Sequence, residues 1–443
     1  MTDPKEDTGE SRPLTVPSGR LARMTRLGVM ASGVAGDMAL NGMRQLGRGQ
    51  RPALRDLLLV PGNLRRIADE LAHMRGAAMK MGQLMSMDGG DVLPPELADI
   101  LARLRADAHF MPPAQLKQVL NDNWGDGWLR KVAHFNVRPI AAASIGQVHR
   151  VRLRDGRDLA VKVQYPGVAR SIDSDVSNVG LLLRLSGLLP QGVDIAPYLA
   201  EARRQLHEET DYAREARYLT DYSAHLGEDR AFIVPEFHAD WSTRAILAMR
   251  FVDGQPIESL ADAPQAERDR VCEHLFDLML RELFDFGLMQ TDPNFANYRH
   301  DAATGRIVLL DFGAARRLAP ETAPQYRLLM RAGLAGDRAG LEAAARQIGF
   351  VDDRMRTDHR TRVLNMIEAV FQAICTQPSF DFAGTDLTRH LNAEGAALAE
   401  AGMVPPTPVM DALYMQRKFG GMFLLAARLR ARVPVSALLE RWI

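Results

Sequence analysis

Cysteine is almost missing from this chain: Cys272 and Cys375 are the only two in 443 residues. They have no metal-type spacing, so zinc is not indicated, and two packing residues in a reducing cytoplasm are expected. No charge of one sign prevails. Lys and Arg number 55 and Asp and Glu number 55, which leaves no case for a nucleic-acid partner. Long hydrophobic runs are missing too. The longest uncharged stretch, Ala369 to Phe380, falls well short of the ~20 residues that cross a bilayer, so no transmembrane helix is expected. No internal repeat is found. Residues 1–19 are polar and rich in Pro, Asp and Glu, and read as a disordered tail rather than a signal peptide. What is left, 47% hydrophobic and 25% charged, is an ordinary soluble balance with ample core.

The most informative segment is Gln290-Thr291-Asp292-Pro293-Asn294-Phe295-Ala296-Asn297, followed nineteen positions after Asp292 by Asp311-Phe312-Gly313. An Asp with an Asn five residues on, and then D-F-G, is the arrangement by which protein-kinase-like folds hold metal and phosphate. On this reading Asp292 faces the attacking nucleophile, while Asn297 and Asp311 ligate Mg²⁺. The ion favours oxygen donors, with phosphate oxygens completing its shell.

A phosphate site needs a counter-charge. Arg150 to Leu153 and Leu159 to Gln164 both alternate polar and apolar residues around Asp155-Gly156, which is a hairpin pattern. Lys162 then lies on the second strand, facing away from Leu159, Val161 and Val163, in the place of the V-A-I-K lysine. A helix from about Pro197 to Leu219 offers partners, with Ala202, Leu206, Ala213 and Ala216 as its apolar stripe and Glu209 inside it. The wheel alone does not select the glutamate. Glu215 is assigned to Lys162, which leaves Glu209 needing another cation, since a carboxylate in an apolar stripe is costly unpaired. A second lysine is at hand. Ile67, Leu71, Met74, Ala78, Met81 and Met85 mark an amphipathic helix, with Lys80 and Gln83 on its opposite face, where solvent exposure is the usual fate. Gly82 beside them costs about 1 kcal/mol in a helix and suggests a close backbone approach. Lys80 is therefore expected near Glu209, covering the nucleotide site.

These motifs resemble the UbiB-type family of atypical kinase-like proteins, tied to ubiquinone (coenzyme Q) biosynthesis, and within it the mitochondrial-type branch. The resemblance rests on Lys80 to Gln83 (K-x-G-Q), Ala141-Ala142-Ala143-Ser144, Glu209-Thr210-Asp211 (E-x-D) and Gln290 to Asn294; Arg417-Lys418-Phe419-Gly420-Gly421 is similar to the family's C-terminal region. It spans roughly Leu14 to Val435. It implies an α+β, bilobal protein-kinase-like fold with helical N- and C-terminal extensions. It also implies ATP or ADP with Mg²⁺ as ligands, Lys162, Glu215 and Asp292 as catalytic residues, and the alanine loop as a nucleotide-binding element. Lys80, Gln83, Glu209 and Asp211 would be regulatory. Ordinary kinases cover the phosphates with a glycine-rich loop whose amides approach closely. Alanines stand here instead, stiffening the loop, and the resemblance implies altered nucleotide handling and suppressed protein-kinase activity in cis. A short helix start capped by Ser144 is compatible with the same residues.

Other departures point the same way. His-Arg is missing before Asp292. Ala319-Pro320-Glu321 follows Gly313 by only six residues, leaving no activation segment to present a peptide, and reads as a helix start. The expected organisation is a tail (1–19), a helical extension with K-x-G-Q (20–130), and a small sheet lobe (131–254) carrying a helical insertion at 166–197. That lobe should end at strands 231–235 and 246–252 with a hinge at Asp253-Gly254. A helical lobe with the catalytic loops and C-terminal extension follows (255–443), including helices at 265–286 and 324–334. Between Arg20 and Arg55 stand seven arginines and one acid, Asp37, beside the apolar series Leu21, Met24, Leu27, Ala31, Val34 and Met38. Such a helix either lies on an anionic membrane surface or packs against the lobes; both readings stand. The expected location is the cytoplasm, free or peripheral at the membrane's inner face, with quinone precursors or their enzymes as partners. Two functions remain open: an ATPase or phosphotransferase acting on a small or lipid-related acceptor, and a nucleotide-gated pseudokinase scaffold.

Overall fold

In the computed structural model, residues 71, 74–85, 110–185, 195–403, 406 and 409–443 are described. The tail, the arginine-rich segment and Ile67 lie outside them. The chain divides into two units, residues 1–216 with 237–251, and residues 217–236 with 252–443.

In the first unit, α1 (Arg75–Met85) and α2 (Pro113–Trp124) precede the strands β1 (Val132–Phe135), β2 (Ala141–Ala142), β3 (Gly146–Leu153) and β4 (Asp158–Gln164). The β3–β4 turn is closed by Asp155, whose carboxylate accepts from the Arg157 amide at 3.1 Å, with Gly156 at φ +95°. Next come α3 (Val168–Leu185), α4 (Ala196–Glu209) and α5 (Tyr212–Leu226), within which the unit boundary falls. The chain then contributes β5 (Phe232–Ile233) to the second unit and returns with β6 (Ile246–Arg250), giving an antiparallel order β1-β3-β4-β6 with β2 beside β3. Period-two burial holds on β4: Leu159, Val161 and Val163 are fully buried, and Lys162 faces the other way. Behind this face Trp128, Val151, Leu153, Trp241 and Ile246 form the core, and Trp124 donates its indole N–H to the Trp241 carbonyl at 3.0 Å.

The second unit is built on α6 (Gln265–Arg281), followed by a single π-turn, Glu282–Phe286, and Gly287 in the left-handed region. With β7 (Gln255–Pro256), β8 (Leu288–Gln290), β9 (Tyr298–Asp301), β10 (Arg306–Leu309) and β11 (Ala315–Arg317), it forms a sheet β5-β10-β9-β7 and a separate β8–β11 pair. Helices α7 (Thr322–Ala335), α8 (Arg338–Ile348), α9 (Thr357–Cys375), α10 (Leu387–Glu400), α11 (Met410–Arg428) and α12 (Val435–Glu440) follow, with β12 (Phe380–Asp381) paired to β13 (Arg432–Val433).

Several expectations are corrected. The helix read as continuous from Pro197 to Leu219 is two helices, broken at Thr210-Asp211. The Thr210 hydroxyl donates back to the His207 carbonyl at 2.8 Å, and Asp211 caps α5 by accepting from the Arg214 amide at 2.9 Å. Ala213 is consequently exposed rather than part of the apolar stripe. Phe232–Ile233 does not end the small sheet; it pairs in parallel with Ile307–Val308, so 217–236 belongs with the second unit. The chain passes between units at Phe251–Val252, just before Asp253-Gly254, and the Gly254 carbonyl accepts from Arg299 Nε at 3.0 Å. Among the described residues no helix is long and apolar enough to cross a membrane.

His149 on β3 is fully buried. Its Nδ1 meets the Asn136 carbonyl and its Nε2 meets the Gln147 amide nitrogen, both at 2.7 Å, so the ring is a neutral tautomer. Burial lowers its pKa below the usual 6.5, with the Asn136 bond opposing. A depressed folded-state pKa means that this contribution is complete above about pH 6.5 and is lost as pH falls towards the folded value. His149→Gln should therefore lower the melting temperature at pH 7.5. The gap to the unsubstituted chain should narrow steadily towards pH 5 in a thermal unfolding series.

Candidate functional site

Two ion pairs organise the first unit. Lys162 Nζ lies 2.9 and 3.0 Å from the two oxygens of Glu215, whose side chain is 2% exposed. The partner chosen from the sequence is the one in contact. β4 aims Lys162 off the core face, and the new helix begun at Asp211 places Glu215 in its first turn. The second pair is Lys80 with Glu209, which also accepts a hydrogen bond from the Ser144 hydroxyl. Lys80 is buried, not solvated. Lys80 is covered together with Leu71, Met74, Ala78 and Met81, because α1 packs on α3 and α4. A close approach occurs at Gly76, where a Cβ would stand 3.0 Å from the Ser144 carbonyl oxygen, and Gly82 is buried. Gln83 lies on α1.

The alanine loop is a strand, not a helix start. Ala141 and Ala142 pair with Val148 and Gln147, and the Ile140 and Ala143 amides donate to the Val148 and Gly146 carbonyls, both at 2.8 Å. Those two N–H groups are consumed by the hairpin and are not presented to a phosphate. At the far end, Gln164 donates to the Thr210 carbonyl at 2.7 Å, tying the E-x-D turn to β4. Asp211 itself is exposed and acts as the α5 cap.

In the second unit both motif loops are strung between two strand pairings. Gln290 opposite Ala315 closes one end, and Tyr298 opposite Leu309 closes the other. Between these rungs the Leu310 amide donates to the Asn297 carbonyl at 3.0 Å, and the Thr291 hydroxyl donates to the Ala314 carbonyl at 2.8 Å. Asp292, Asn297 and Asp311 are all half-buried. The Asn297 amide nitrogen lies 3.3 Å from Asp292 Oδ2, which directs its amide oxygen to the other side of the group. Asp311 Oδ1 accepts from the Gly313 amide at 2.8 Å, and Phe312 is buried against Tyr222. One carboxylate and one amide oxygen on neighbouring loops are a hard-donor set that suits Mg²⁺.

The residues with no role in the sequence reading sit on α11. Arg417 donates to Asp292 Oδ1 at 2.8 Å, and its side chain is 13% exposed. A Cβ on Gly421 would stand 2.1 Å from the Pro293 Cβ, so the helix touches the loop itself. The signal in the sequence was Arg417 four residues before a glycine inside a helix, where glycine is unfavourable without a packing reason. From Gly313 the chain runs through β11 straight into α7, whose start is held by Asp411 accepting from the Ala319 amide (2.8 Å) and the Thr322 hydroxyl (2.7 Å). No segment that would present a peptide lies between them.

Residues 103–345 match the ABC1 atypical kinase-like domain. The chain belongs to that family. It is 37% identical over 440 residues to "Atypical kinase COQ8, mitochondrial" of Saccharomyces cerevisiae, covering 98% of this chain and 87% of the yeast protein. To "Atypical kinase COQ8B, mitochondrial" of Rattus norvegicus it is 35% identical over 442 residues, covering 97% and 81%. Among solved structures, that of the Rv3197–erythromycin complex from Mycobacterium tuberculosis superposes with a TM-score of 0.60 at 22% identity, over 84% of this chain and 93% of that one. This last likeness concerns the fold alone, which in this ABC1-family chain is the α+β protein-kinase-like one. The motifs assigned to the UbiB-type group thus lie on a chain whose relatives carry the COQ8 name.

Gly420 and Gly421 allow a direct check on the α11 contact. Gly421→Ala should destabilise by about 1–3 kcal/mol through overpacking against Pro293. Gly420→Ala, with nothing within 4 Å, should be neutral or stabilise by up to about 1 kcal/mol. Denaturant unfolding of the two variants measures the contrast.

Proposed function

We propose that this chain is an ATP-using atypical kinase-like protein that supports ubiquinone biosynthesis. It binds Mg²⁺ and adenine nucleotide through Lys162, Asn297 and Asp311, and hydrolyses ATP or transfers its terminal phosphoryl group to a small or lipid-related acceptor. The observation that carries this reading is the pair of bridged loops, which places Asp292, Asn297 and Asp311 on adjacent segments between two strand pairings. Lys162, held extended by Glu215, supplies a cation for the phosphates, as the family relation supports. Bound Mg²⁺ would neutralise charge on the phosphate oxygens. Asn297 holds Asp292 Oδ2 and Arg417 holds Oδ1, so in this proposal the carboxylate meets an acceptor hydroxyl or water only when the Arg417 contact is given up. Within the first unit the alanine hairpin and the Lys80–Glu209–Ser144 cluster hold the loop by protein bonds, which favours a small acceptor over a peptide in this proposal. Contact with a membrane, with quinone precursors or with their biosynthetic enzymes is part of the same proposal.

One observation favours a second reading, a nucleotide-gated scaffold without turnover. Arg417 engages Asp292 Oδ1, an oxygen that a catalytic base would turn to its substrate. Phosphate release from Mg-ATP separates the two. It would be measured with and without anionic liposomes and phenolic quinone precursors, for the unsubstituted chain and Asp292→Asn. Release that falls by about 100-fold or more in Asp292→Asn supports turnover, this being the usual scale of acid–base catalysis. Nucleotide binding with no release supports the scaffold. Asp311→Asn should abolish the Mg²⁺-dependent part of the nucleotide-induced thermal shift, and an unchanged shift would remove Asp311 from the metal site.

A further inference from the structure

A buried charged cluster lies directly beneath the 292–297 loop, wholly inside the second unit. Lys418, next to Arg417 on α11, is 1% exposed, and its ammonium lies 3.0 Å from Glu282 Oε2 and 3.2 Å from the Tyr298 hydroxyl. Glu282 is also 1% exposed and sits at the π-turn after α6; its other oxygen accepts from the Tyr222 hydroxyl at 2.9 Å. Tyr222 and Tyr298 are buried as well. Burial pushes the Lys418 ammonium towards neutrality and the Glu282 carboxyl upward; for Lys418 the facing Glu282 and Tyr298 outweigh burial and favour the charged form.

Such a pair is a weak source of stability, because well-packed apolar residues in its place are often as stable. Its effect is on register. If α11 rotated or slid by a turn, a charged ammonium would be left in an apolar interior without its carboxylate, which is strongly disfavoured. With Lys418 pinned, its helix neighbours are placed too: Arg417 meets Asp292 and Gly421 meets Pro293, at the start of the loop. The Tyr298 hydroxyl extends the same pin to the loop's end, since Tyr298 directly follows Asn297. The π-turn adds one residue to the helical path at Glu282, the kind of local irregularity common at functional sites.

We propose that Lys418, Glu282 and Tyr298 are positioning residues, a buried lock that fixes both ends of the Asp292–Asn297 loop and thereby sets Asn297 for its metal. The metal arm rests on the nucleotide reading given above; the loop arm does not. In the full chain without ligand, hydrogen–deuterium exchange over residues 291–298 should quicken about fivefold in Tyr298→Phe, the effect of one net hydrogen bond, with exchange in α8 unchanged. The double variant Lys418→Met with Glu282→Gln removes the charges while filling their space. It should keep a melting temperature near that of the unsubstituted chain and still exchange fast over 291–298. In a thermal-shift titration at fixed ADP, the Mg²⁺ concentration for half-effect should rise about fivefold in Tyr298→Phe, while the shift with ADP alone stays the same. Unchanged exchange over 291–298 in both variants would overturn the lock, as would a double variant that restores slow exchange together with stability. If the unsubstituted chain shows no Mg-ADP shift, the nucleotide reading fails and the exchange arm still decides the lock.

Discussion

A carboxylate removed from water has to be met by a cation or by donors, and each unit of this protein is arranged around that requirement. In the first, Glu215 at 2% exposure is held by Lys162, and Glu209 by Lys80 and Ser144. In the second, Glu282 is held by Lys418 and Tyr222, and the half-buried Asp292 by Arg417 and Asn297. Unpaired, any of these groups would be costly. Each cation therefore ties together segments far apart in the chain: β4 to α5, α1 to α4, and the post-α6 turn and the Asp292–Asn297 loop to α11.

The same requirement explains how the alanine loop differs from a phosphate-cradling glycine loop. Two of its amides are spent on β3, and its Ser144 end is fastened to Glu209 under α1. Gly76 permits this, since a side chain there would press on the Ser144 carbonyl oxygen. A loop bound on both sides has little freedom to fold over a triphosphate. The short passage from D-F-G into α7 removes peptide presentation independently. Both features accord with an atypical member of the kinase-like fold.

In the C-terminal part, α11 takes over the anchoring that a His-Arg before Asp292 supplies in ordinary kinases. Gln290 and Thr291 stand at that place and bond instead to the Asp311 and Ala314 carbonyls of the D-F-G segment, at 3.4 and 2.8 Å. The loops are thus stitched to each other locally, and the cation comes from a helix more than a hundred residues further on. The C-terminal extension touches the Asp292–Asn297 loop directly, through Arg417 and Gly421.

Local pattern carries far in this chain. Period-two alternation with Asp155-Gly156 specifies the β3–β4 hairpin and the facing of Lys162. The D-x-x-x-x-N and D-F-G spacing marks the two loops, and Ala319-Pro320-Glu321 marks the start of α7, because each depends on residues within a few positions of one another. The Lys80–Glu209 pair was legible because a carboxylate inside an apolar stripe demands a cation, whereas Glu215 was assigned to Lys162 by the V-A-I-K pattern and not by the helix wheel. Tertiary structure alone decided the rest. The break at Thr210-Asp211 arises from a cap competing with a helical pattern that reads as continuous. β5 leaves the small sheet because its partner, Ile307–Val308, is remote in sequence. The burial of Lys80, and the placing of Arg417, Lys418, Glu282, Tyr222 and Tyr298 around one loop, depend on which surfaces meet; a helix wheel shows that a charge has a face, but not what covers it.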